Sequence, residues 1–179
     1  MTTAQGFAVF ETAIGHCGIA WGEHGVVSVR LPDRSAAITR GRLRSKFPEA
    51  GELEPPRAIR QGIEDIVALL RGEPRSLADI ELDLDGVPEF HRRVYDIART
   101  IPPGRTVTYG EIANRLDMPG SAQAVGRAMG SNPFPIVVPC HRVLGAGGKL
   151  TGFSAPGGVE TKRRMLLIEG VPTVEPTLF

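Results

Sequence analysis

Residues 108–143 read TYGEIANRLDMPGSAQAVGRAMGSNPFPIVVPCHRV. TYGEIANRL has the apolar spacing of a short amphipathic helix. DMPGSAQ carries the Pro and Gly of a turn. SAQAVGRAMGS follows as another helix, rich in small residues. Two short helices around a Gly-containing turn make a helix-turn-helix candidate, whose second helix, Ser121–Ser131, enters a groove of DNA in motifs of this kind. The plain alternative is an αα-hairpin inside a core. Phe134–Val138 is short, apolar and bracketed by prolines, which predicts burial.

Outward from this stretch, VPEFHRRVYDIARTIPPG places Phe90, Val94, Ile97 and Ala98 at helical spacing. Pro88 sits near its start, and Pro102, Pro103 and Gly104 stop it. Downstream, ETKRRMLLIEG closes the segment as a helix with Met165, Leu166 and Ile168 apolar. The first half of the chain has a different texture. FAVFETAIGHCGIAWGEHGVVSVRLP predicts two or three strands joined by tight turns, one of them at Gly22–Gly25. AAITRGRLRSKF is basic and reads as helix or loop, and PEAGELEPP as a surface loop. RAIRQGIEDIVALLRG puts Ile59, Ile63, Ile66, Val67 and Leu70 on one helical face, with Gly72 suited to the cap. IELDLDG alternates and predicts an edge or half-buried strand. The expected fold is therefore α+β. Residues 1–86 form a small N-terminal α/β domain with a short antiparallel sheet, residues 87–170 a mainly helical domain with the helix-turn-helix, and 171–179 a tail.

Composition narrows the classes. The chain has 179 residues, 41% of them hydrophobic, as in ordinary globular proteins. No apolar run reaches the ~20 residues of a membrane span, and MTTAQGFAVFETAIG lacks the layout of a secretory signal. The expectation is a cytoplasmic protein with no membrane partner, monomeric in solution. Two cysteines are too few for a disulfide scaffold, and no Cys-x-x-Cys or His-x-x-x-His spacing suggests a metal. Cys17, between Gly and Ile in a strand-like stretch, reads as a small buried apolar residue. The net charge of +1 conceals an asymmetry. Residues 1–90 hold 10 Lys+Arg against 14 Asp+Glu, and residues 91–170 hold 11 against 5. A polyanion is drawn to the second half.

Cys140 lies in Val-Pro-Cys-His-Arg-Val. Thiolate, not thiol, is the nucleophile. Three features could lower its pKa: His141 as an adjacent base, the positive charge of Arg142, and backbone N–H groups of the turn. Glu169 is a candidate third member that fixes the tautomer of His141. Spacing alone leaves that contact open.

NPFPIVVPCHRV, with TYGEIA upstream and GGKLTGF downstream, closely resembles the O6-alkylguanine-DNA alkyltransferase family, the methylated-DNA–protein-cysteine methyltransferases. The match runs from about Phe90 to Gly170, and AIGHCGIAWGEHGVVSVRL is similar to the N-terminal domain of the family. The resemblance implies an α/β domain beside a helix-turn-helix domain that binds duplex DNA through the minor groove and flips the alkylated base out. It implies that Cys140 accepts the alkyl group once. His141 takes the thiol proton through a water, and Glu169 orients it. Asn132 braces the turn between recognition helix and site. Tyr109 helps rotate the nucleotide and donates to the leaving base. Ser121, Gln123, Asn132, Arg142, Val143 and Ser154 are the expected DNA and base contacts, and no metal or organic cofactor is implied. O6-alkylguanine is the implied lesion, with O4-alkylthymine a second candidate.

Three positions depart from the family pattern. Gln123 stands where the family usually has an arginine that fills the flipped base's place, and glutamine lacks both its charge and its stacking plane. Phe153 stands where a tyrosine is usual. SAPGGVETK is a longer loop. These bear on lesion preference and flipping, not on the nucleophile. Three other readings remain at this level: a non-enzymatic lesion binder, a cysteine hydrolase using Cys140, His141 and Glu169, and a structural helix-turn-helix module.

Overall fold

A computed structural model describes residues 3–150 and 158–172. The chain packs as two compact units. One comprises residues 1–87 with 133–137, the other residues 88–132 with 138–179. The short apolar run before the cysteine thus leaves the helical unit and returns to it.

The first unit is built on three antiparallel strands, β1 (Gly6–Thr12), β2 (Gly15–Gly22) and β3 (Gly25–Arg30). Both hairpins are tight, with Thr12 opposite Gly15 and Gly22 opposite Gly25. Gly25 is obligatory on two counts: its φ is +121°, and a Cβ there would stand 2.6 Å from the Glu81 carbonyl oxygen. Helices α1 (Ala36–Lys46) and α2 (Arg57–Leu70) belong to the same unit. A side chain at Gly18 would meet Leu43 of α1 at 2.6 Å, so this glycine lets helix and sheet approach. Phe7, Ala20, Val27, Leu43 and Phe47 form the core. The predicted α2 face is buried at Ile59, Ile66 and Leu70, and Gly72 follows the helix at φ +96°. Ile63 and Val67 are only half-buried.

Two segments differ from expectation. The loop PEAGELEPP contains a two-residue strand, β4 (Gly51–Glu52), parallel to β1. The sheet order is β3-β2-β1-β4. The open edge of β1 captures this backbone, which local composition does not reveal. IELDLDG forms no extended strand and makes a single parallel bridge, Leu82 to Val26.

The second unit contains α3 (Glu89–Ala98), α4 (Tyr109–Arg115), α5 (Ala122–Gly130) and α6 (Gly158–Ile168). Pro88 caps α3, and Thr108 caps α4 by accepting from the Glu111 N–H. Asp117 turns the chain between α4 and α5 at φ +56°. The Tyr95 hydroxyl donates to the Ala128 carbonyl at 2.7 Å, fastening α3 to α5. Strand β5 (Val107–Thr108) pairs in parallel with β6 (Val143–Leu144), which ties the start of α4 to the segment after the cysteine. Ser154, Phe153 and 173–179 lie outside the described residues. Among those described, no helix is long and apolar enough to cross a membrane.

Candidate active site

Pro139 leads into a single 3-10 turn, Cys140–Arg142, and all three residues are buried. The Asn132 side chain donates to the Val138 carbonyl at 2.9 Å and so holds the turn's entry. From the other side, α6 presents one face. Lys162, Met165, Leu166 and Glu169 follow the i, i+3, i+4, i+7 spacing of a helical stripe. The Lys162 ammonium donates to the Val143 carbonyl at 2.7 Å.

Glu169 collects three hydrogen bonds. His141 Nε2 lies 3.0 Å from its Oε2, and Arg142 binds both oxygens at 2.9 and 2.7 Å. Burial pushes the Glu169 carboxyl up, yet the bonds from Arg142 and His141 outweigh it and hold the group at about 2. An ionised carboxylate only accepts, so His141 must donate through Nε2. Burial keeps the His141 pKa below its ordinary value despite Glu169, and the ring is neutral at rest. The Nδ1 lone pair is then the free base of the pair, and Nδ1 has no hydrogen-bond partner among the described residues.

Cys140 behaves differently from the expectation of a lowered pKa. Burial pushes its thiol up, against hydrogen bonding by Asn132, the charge of Lys162 and the backbone N–H groups of residues 140 and 141. The resting group is a thiol poised among features that favour its anion. Arg142 lies inside the site. It is 5% exposed and committed to Glu169 and, at 2.7 Å, to the Ile101 carbonyl. Its charge is paired with the carboxylate, and its bonds brace the site from within.

The cation that does act on the sulfur is Lys162, which the sequence reading passed over. Burial lowers it to about 8, while an anionic Cys140 raises it. Its ammonium also lies 6.0 Å from the centre of the Tyr109 ring. The available signal was a lysine on the apolar stripe of α6. Tyr95 was likewise missed as a neighbour of the thiol. Burial and a negative Cys140 push its hydroxyl up to about 12.

Tyr109 is the first residue of α4 and half-buried. Gln123 is exposed on α5, and Ser121 precedes that helix with no capping bond from its side chain. Val143 is buried beside the turn. The structure therefore gathers Cys140, His141, Glu169, Asn132, Val143 and Lys162 into one cluster.

Residues 89–171 match the family model described as the DNA-binding domain of 6-O-methylguanine DNA methyltransferase. The methylated-DNA–protein-cysteine methyltransferase of Mycolicibacterium paratuberculosis is 41% identical over 163 residues, which is 91% of each chain. This chain belongs to the methylated-DNA–protein-cysteine methyltransferase family. Solved structures agree with that membership. The Mycobacterium tuberculosis O6-methylguanine methyltransferase matches with a TM-score of 0.74 at 35% identity, covering 97% of this chain and 98% of that one. The same organism's protein in complex with DNA matches with a TM-score of 0.72 at 36% identity, covering 93% and 95%. Cys140 lies within the residues matched by the DNA-binding family model and in the second unit.

Proposed function

We propose that this methyltransferase repairs DNA by moving the alkyl group of O6-alkylguanine onto Cys140, once per molecule. The observation that carries the reading is His141, next to Cys140 in the turn, bonded to Glu169 through Nε2 and with no partner for Nδ1 among the described residues. The thiol proton passes to His141 Nδ1 through a water. The sulfur attacks the alkyl carbon, the new S–C bond forms as the C–O6 bond breaks, and the electron pair goes to the guanine. Tyr109 donates a hydrogen bond to the departing base as negative charge builds on it, and Lys162 stabilises the thiolate before attack. A thioether is a poor leaving group, so the protein is not regenerated.

Residues 87–170 serve as the alkyltransferase domain, with α4 and α5 as the helix-turn-helix set into the minor groove of a duplex. Val143, buried beside the cysteine turn, lines the base pocket. The protein works as a cytoplasmic monomer. Gln123 is the one observation that favours a non-enzymatic lesion binder, since it weakens the wedge that replaces an extruded base. Duplex carrying O6-methylguanine separates the two. Lesion loss should plateau at one equivalent per protein and vanish in Cys140→Ala. Binding without any lesion loss would establish the binder, and continued turnover would contradict both.

A further inference from the structure

Helix α5 buries Val125, Ala128 and Met129. Gln123 and Arg127 are both exposed. They lie four residues apart, so they sit side by side on one face, about 5–6 Å between Cβ atoms. Helical Cα–Cβ bonds tilt toward the N-terminus, so the Arg127 side chain sets out toward the turn that carries Gln123. Arg127 is the sole charged residue of AQAVGRAMG. Its neighbour Gly126 faces Tyr109: a Cβ there would sit 3.9 Å from the tyrosine ring. The exposed stripe thus borders the residue assigned to nucleotide rotation. A helix set against DNA with no cation on this stripe would bring only neutral groups toward a dense line of phosphates.

We infer that Arg127 binds a DNA phosphate and supplies, one turn on, the guanidinium that position 123 lacks. The inference rests on α5 being the recognition helix. Phosphate is the anion for which the planar guanidinium fork is suited. Binding through phosphate is indifferent to the lesion, so the contact acts equally on damaged and undamaged duplex.

Binding to undamaged and O6-methylguanine duplexes at a series of salt concentrations tests this. Arg127→Gln should weaken both by about tenfold at low salt and reduce the slope of log affinity against log salt by about one. Arg127→Lys should keep most of the slope, because a point charge still pairs with phosphate. Gln123→Arg added to Arg127→Gln should restore affinity and slope. An unchanged melting temperature in Arg127→Gln excludes misfolding as the cause. An unchanged slope in that variant would overturn the phosphate contact, and failure of the double variant to recover would overturn the substitution of one arginine for the other. Lesion loss by the unaltered protein, followed in parallel, reports separately on the transfer reaction. Its absence beside a reduced slope would refute transfer and leave the phosphate contact standing.

Discussion

Cys17 and Cys140 are both buried, and burial pushes both thiols up, Cys17 to about 12. What separates them is their company. Cys17 lies in β2, and among the described residues its polar partner is the Thr12 hydroxyl, 3.8 Å from its sulfur. Cys140 has a base, a cation and an amide. Alkyl transfer should therefore vanish in Cys140→Ala and persist in Cys17→Ala, with DNA affinity retained in both. Lys162→Met removes one of the charges that favour the thiolate. Its transfer rate should fall by about tenfold for each unit by which the thiol pKa rises, and the acid limb of the pH–rate profile should move to higher pH. A profile that falls in rate without moving would assign Lys162 a packing role only. Glu169→Gln should do more damage to folding. It leaves the buried charge of Arg142 without its carboxylate, at a cost of about 3–5 kcal/mol, measurable by denaturant titration.

At the scale of elements, α6 carries the site's chemistry by its spacing, delivering Lys162 and Glu169 two turns apart to one 3-10 turn. Glu169 was legible as a candidate, but its contact was not, because 27 residues separate it from Arg142 and no local rule predicts such a contact. Lys162 was legible in principle, as a lysine among Met165 and Leu166, but a basic residue in KRR reads most simply as solvated. The helices α2 to α5 and both hairpins were readable from periodicity and turn residues. Strand β4 was not, since its pairing depends on an edge supplied by residues far away in sequence. Two predictions belong to this scale. Tyr95→Phe loses the bond that joins α3 to α5 and should cost about 1 kcal/mol of stability. Gln123→Arg should speed transfer from duplex DNA, as a stacking, charged wedge replaces a neutral one. Equal rates would mean that the wedge acts by shape alone.

Across the whole molecule, charge is divided as function requires. The half that holds α5 and Cys140 is basic and the other acidic, a division that composition alone makes visible. Acid stability is also a property of the whole. Glu169 sits at about 2 in the folded chain against an ordinary 4.5. Its depressed value means that its contribution is present above pH 4.5 and is lost as pH falls toward 2. Glu169→Gln should flatten that part of the stability–pH curve. The measurement that bears most directly on the central claim is intact mass with peptide mapping, after incubation with duplex carrying O6-methylguanine. The account predicts a single gain of about 14 Da, one methylene, on the peptide that contains Cys140. No gain, or a gain on Cys17, would contradict it.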